Sequence, residues 1–117
     1  MSEEDPRFTA VVAAFAAERA LAPIAAEYAA RKETGGRKFG SNGLKVNGKL
    51  FAFVGRAGLL VVKLPKTRVA ELAAARKGEP FDPGHGRVMK EWLCVTGAKV
   101  SWLELAREAH DFVKGAR

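Results

Sequence analysis

Apolar residues recur at helical spacing through the first part of the chain. Phe8, Val11, Val12 and Phe15 are followed by Ile24, Ala25 and Tyr28, each set three or four residues apart as one face of a helix requires. Glu3, Glu4 and Asp5 stand beside the positive end of its dipole. The spacing predicts helix over 6–33, kinked or split at Pro23, because proline lacks an N–H and crowds the preceding turn. The first part runs to about Leu21, and the second opens at Pro23 and ends at Gly35-Gly36.

The period then changes. Leu44-Lys45-Val46 and Lys49–Val54 flank Asn47-Gly48, a pair that accepts the positive φ angles of a type I′ hairpin turn. Gly55–Gly58 makes a second turn into a strand over Leu59–Leu64. Pro65 stops that strand and opens a short helix carrying Val69, Leu72 and Ala73, which Gly78 ends. Residues 79–86, EPFDPGHG, read as a loop by their breakers. Val88–Val95 reads as a further strand. In the final helix Ser101 and Glu104 form a capping box inside a staple of Val100 and Leu105. Trp102, Leu105, Ala106, Ala109, Phe112 and Val113 line its apolar face. The order is N-terminal helix, antiparallel meander, short helix, strand and C-terminal helix, which predicts one α+β domain over residues 1–117.

A two-residue turn pairs Val46 with Lys49 and places Leu44 opposite Phe51. Carrying the register through the second turn places Val54 opposite Leu59. One sheet face then holds Leu44, Val46, Phe51, Phe53, Leu60, Val62 and Leu64, the expected core. The other holds Leu50, Ala52, Val54, Leu59 and Val61, with Lys45 and Lys63 among them. Each large apolar side chain left in water there forgoes about 1.5–3 kcal/mol of burial. Leu50, Val54, Leu59 and Val61 are therefore expected to form an interface with a protein partner or a second copy of the chain.

Charge adds a second feature. The chain carries 20 Lys and Arg against 13 Asp and Glu, a formal net charge of +7. Between Thr34 and Ala70 there is no acidic residue, while Arg37, Lys38, Lys45, Lys49, Arg56, Lys63, Lys66 and Arg68 all fall there. Such a segment attracts polyanions or acidic surfaces. Arg37, Lys38, Lys45, Lys49, Arg56 and Lys63 are the expected contacts if nucleic acid is the partner, with binding that is non-specific and salt-dependent. Hydrophobic residues make up 48% and charged residues 28% of the chain, a globular balance. No apolar run is long enough to span a bilayer, the start is acidic rather than that of a signal peptide, and the single cysteine, Cys94, has no internal partner. A cytoplasmic location is expected.

Motifs for chemistry are sparse. Cys94, His85 and His110 form no CxxC, HxxxH or HExxH pattern, so no metal is expected. There is no GxSxG elbow, and Cys94 lies in an apolar strand. Glu79, Asp82 and His85 are the one group with acid–base chemistry, yet Asp before Pro and Gly on either side of His serve a tight loop equally well. The glycines at 35–43 match neither GxxxxGK[ST] nor GxGxxG before a helix, which argues against a nucleotide cofactor. No cofactor, small-molecule substrate or enzymatic activity is expected.

The ordered run of Lys38-Phe39-Gly40, Gly43-Leu44-Lys45-Val46 and Asn47-Gly48-Lys49-Leu50-Phe51-Ala52 resembles the TfoX N-terminal domain family, with Lys38 where that family usually has Met. Val62-Lys63-Leu64, the PFDPGHG loop, Gly86–Trp92 and the closing helix extend the resemblance over about residues 8–114, and the MmcQ/YjbR-like proteins are similar in the same way. The resemblance implies a two-layer, secretion-chaperone-like α+β fold without established catalytic residues or cofactor. It also implies a regulatory or protein-interaction role, the namesakes acting in competence gene expression and the YjbR-like relatives being described as DNA-binding. The C-terminal domain of full-length TfoX-type regulators is not expected here.

Overall fold

Proline and glycine set the joints of this chain, but not always where the sequence places them. A computed structural model describes residues 6–33, 43–55, 58–82, 89–97 and 99–115. The first helix, α1 (Pro6–Ala17), ends four residues short of Leu21. A turn follows, closed by the Leu21 and Ala22 N–H groups donating to the Glu18 carbonyl at 3.0 and 2.7 Å. Pro23 then sits in the first turn of α2 (Ala22–Glu33), where a missing N–H forfeits no intrahelical bond. Arg7 of α1 stacks over the Trp102 ring, 4.1 Å from its centroid, and donates to the Gly58 carbonyl at 3.2 Å.

The strands are β1 (Leu44–Val46), β2 (Lys49–Val54), β3 (Leu60–Lys63), β4 (Gly78–Phe81) and β5 (Met89–Val95), in one antiparallel sheet of order β1-β2-β3-β5-β4. Helix α3 (Lys66–Ala74) lies between β3 and β4, and α4 (Trp102–Gly115) closes the chain. The architecture is the expected α+β one. Among the described residues, no helix is long and apolar enough to cross a membrane.

Strand β4 corrects the reading of residues 79–86 as a loop from their first residue. Gly78, Glu79 and Pro80 pair with Val95, Cys94 and Leu93. Pro80 is tolerated because β4 is an edge strand, where a missing donor breaks no ladder bond. Gly78 therefore starts a strand instead of ending a helix. Helix α3 is terminated earlier, by Arg76 at φ 62°, with the Lys77 N–H donating to the Leu72 carbonyl at 2.9 Å and the Arg76 N–H to Ala73 at 3.0 Å. This is the Schellman pattern, with arginine at the left-handed position that glycine usually fills.

The register is the second correction. Asn47 (φ 54°) and Gly48 (φ 78°) form the expected turn, and Val46 pairs with Lys49. The ladder then slips: Lys45 pairs with Leu50 but Leu44 with Ala52, leaving Phe51 as an extra residue. Such a bulge sends two successive side chains to one side, and both Phe51 and Ala52 are fully buried in the helical core. Beyond it Ala52, Phe53 and Val54 pair with Val62, Val61 and Leu60. Ala52 and Val54 thus face the helices, and Phe53 faces away, the reverse of the expected assignment.

Helices α1, α2, α3 and α4 all contribute to one core on that first face, through residues such as Phe15, Tyr28, Leu72 and Leu105 packed with Leu44, Phe51, Leu60, Val62 and Leu93. Phe51 lies at its centre, its ring stacked at 6.2 Å on Phe15 and edge-on at 5.6 Å to His110. Helix α4 starts as its capping box predicts, the Glu104 N–H donating to Ser101 Oγ at 3.2 Å. Arg68 ties α3 to α4 by a two-pronged pair with Glu108 at 2.7 and 3.3 Å, assisted by Glu71 at 3.2 Å. The hydrogen bonds that Arg68 donates to Glu108 and then to Glu71 raise the guanidinium pKa above its usual value. Both partners are more than a third exposed, so water screens most of that attraction.

Candidate interaction face

Strand alternation beyond the bulge builds a second, smaller cluster on the sheet face away from the helical core. Phe53, Val61, Cys94 and Glu79 form one row across β2, β3, β5 and β4, since directly paired residues share a face. Lys63 with Trp92, Lys45 with Leu50 and Phe81 with Met89 stand in neighbouring pairs. The Phe53 ring meets Trp92 at 5.7 Å and Phe81 edge-on at 5.8 Å. These aromatic contacts contribute about 0.5–1.5 kcal/mol each beyond their buried area. Val61 is wholly buried beneath this face, Phe53 is 9% exposed, and Trp92 and Phe81 are part-buried. Met89, at 40%, is the one large apolar residue that is exposed among the described residues.

Lys63 borders the aromatic group. Its Nζ lies 5.3 Å from the Trp92 ring centroid and 3.7 Å from Glu91 Oε1, so a cation caps the indole while a carboxylate holds it. Gly43 allows the close approach at the β1 end, since a Cβ there would stand 2.3 Å from Leu50 Cδ1 and 2.8 Å from the Ala52 carbonyl oxygen. Cys94 is part-buried in this face. Desolvation, and then the negative charge of Glu79, push its pKa above the ordinary thiol value, which favours the protonated, weakly nucleophilic form. Iodoacetamide labelling at pH 8 is therefore expected to be slower in the folded chain than in the urea-unfolded one. The folded-state rate should rise with a midpoint at higher pH than that of the unfolded chain; a midpoint at lower pH would contradict the burial.

The sequence-predicted residues divide between the two faces. Leu50 and Val61 of the expected interface lie on this face, Val61 as buried floor and Leu50 part-buried. Val54 packs instead against the helical core. Leu59 is part-buried just before β3, its carbonyl accepting the Gly55 N–H at 2.9 Å. Of the expected polyanion contacts, Lys45 and Lys63 share this face, whereas exposed Lys49 pairs with Val46 and so belongs to the helical side. Arg37, Lys38 and Arg56 lie outside the described residues. Glu79 is on β4 and Asp82 follows it, both exposed, and His85 lies outside the described residues. His110 is 5% exposed on the opposite side of the sheet from Cys94, with Nδ1 3.0 Å from Asp111 Oδ1. It is a packing residue between Phe15 and Phe51. No group of three His, Cys, Asp or Glu suited to a metal ion occurs among the described residues.

Met89, Phe81, Trp92 and Phe53 are the members of this face that the sequence pattern did not bring together. Phe81 and Met89 meet because β4 is a strand, and Phe53 joins them because Phe51 is a bulge. The alternation of Trp92 with Leu93 was the one visible signal. No family model, curated protein or solved structure matches this chain.

Proposed function

We propose that this chain is a non-catalytic interaction domain, similar to the TfoX N-terminal domain, which recognises a protein partner through the sheet face bearing Met89, Phe81 and Trp92. The observation that carries this reading is the exposed Met89 beside part-buried aromatics. Methionine and aromatic side chains supply most of the contact energy at protein interfaces, and a rigid floor such as Phe53 and Val61 lets them act without ordering cost. Lys63 and Lys45 at its margin suit a partner that presents apolar groups flanked by carboxylates. The upward shift that burial gives the Cys94 thiol weighs against nucleophilic chemistry on the same face.

Affinity capture from extract of the source cells tests the reading. A protein held by the wild type is expected to be lost by at least about thirtyfold with Met89→Asp or Trp92→Ala, the range of an interface hot spot. Equal retention by these variants would overturn it. Salt-sensitive binding of single-stranded DNA that disappears in the Lys45→Glu, Lys63→Glu double variant would replace it with the nucleic-acid reading.

A further inference from the structure

A cleft of about 480 Å3 opens on the helical side of the molecule, between α3, the turn that follows it and the start of α4. Its floor is apolar, made by Leu72, Val100 and Leu105. Arg76, Lys77 and Lys99 stand around it, with Ser101 at one wall. Two carboxylates also line it, but Glu108 is engaged by Arg68, which leaves Glu104 facing three cations. No carboxylate of the described residues pairs with Arg76, Lys77 or Lys99.

The backbone fixes these cations together. The Lys77 carbonyl accepts the N–H groups of Thr96 and Gly97 at 3.2 and 3.0 Å. A Cβ on Gly97 would stand 2.6 Å from Val100 Cγ2 and 3.2 Å from Lys77 Cα, so the segments bearing Lys77 and Lys99 are in direct contact. Arg76 occupies a left-handed conformation, φ 62°, that an L side chain adopts at a cost and glycine adopts freely. The chain thus keeps a guanidinium at a position where local stability favours no side chain at all.

From this arrangement we infer that the cleft binds an organic dianion, a phosphate monoester with an apolar body, its phosphate held by Arg76, Lys77 and Lys99 and its body resting on Leu72, Val100 and Leu105. Guanidinium and ammonium donors together match the charge and the several acceptor oxygens of a phosphate. The volume falls within the range of small-molecule sites. This inference is independent of the sheet face, which involves none of these residues.

Titration of the 15N-labelled protein with phenyl phosphate and with inorganic phosphate, at constant ionic strength, tests it. Saturable shifts are expected at the Gly97 and Ser101 amides, with phenyl phosphate binding tighter. Lys77→Ala combined with Lys99→Ala should weaken binding at least about tenfold, while Lys45→Ala with Lys63→Ala leaves it unchanged. Arg76→Gly should weaken binding and at the same time raise Tm by about 4 °C, a pairing of opposite effects that a purely structural arginine would not give. Non-saturating shifts, equal affinity for the two phosphates, or undiminished binding by the Lys77, Lys99 double variant would overturn the assignment. The amide spectrum of each variant reports its folding in the same experiment.

Discussion

Phe51→Ala is expected to destabilise the fold by about 3–5 kcal/mol, the cost of removing a buried phenyl ring and leaving a cavity. Phe51 is fully buried, and its ring joins Phe15 of α1 to His110 of α4 above β2. Close-packed interiors relax only in part around such a gap. Urea denaturation followed by far-UV circular dichroism measures the loss. Lys49→Ala, at an exposed position on the same strand, should stay within about 0.5 kcal/mol of the wild type. A loss below about 1 kcal/mol for Phe51→Ala would mean that this ring does not occupy the space between α1 and α4.

Gly78→Ala carries the second large effect, a loss of about 2 kcal/mol, through overpacking at the backbone. A Cβ at position 78 would lie 2.5 Å from the Cys94 carbonyl oxygen and 2.9 Å from Leu93 Cδ1. The oxygen belongs to the β5 backbone and cannot swing aside as a flexible side chain does, so the edge strand must shift. Gly115→Ala, with no neighbour within 4 Å, should be neutral or slightly stabilising, because alanine favours helix. Thermal unfolding of the two variants side by side separates them. Equal midpoints would show that β4 does not pair with β5 at Gly78.

The parts of the fold that were legible in the sequence are those set by short-range chemistry. Asn47-Gly48 specified its own turn, and Ser101 with Glu104 marked the start of α4, because the atoms involved lie within three residues of one another. Strand β4 was hidden, since Gly-Glu-Pro-Phe holds two residues that usually break strands. Its pairing comes from β5, and its edge position removes the penalty on Pro80. Arg76 likewise gave no local sign that a helix would end there in place of Gly78. The alternation rule failed at Phe51, because a bulge is decided by what both Phe51 and Ala52 gain against the helices, a long-range benefit. That one slip carried Val54 into the helical layer and brought Phe53 out to Trp92 and Phe81, so the sheet face was read with half of its members exchanged.

The additional residue in β2 works like a frame shift. Every side chain after it owes its direction to that doubled step: plain alternation onward from Leu50, with Phe51 paired in turn, would send Phe53 inward and Val54 outward on the same letters of the chain. Which surface of the sheet carries the aromatic cluster is thus decided by whether the ladder at the hairpin takes that doubled step.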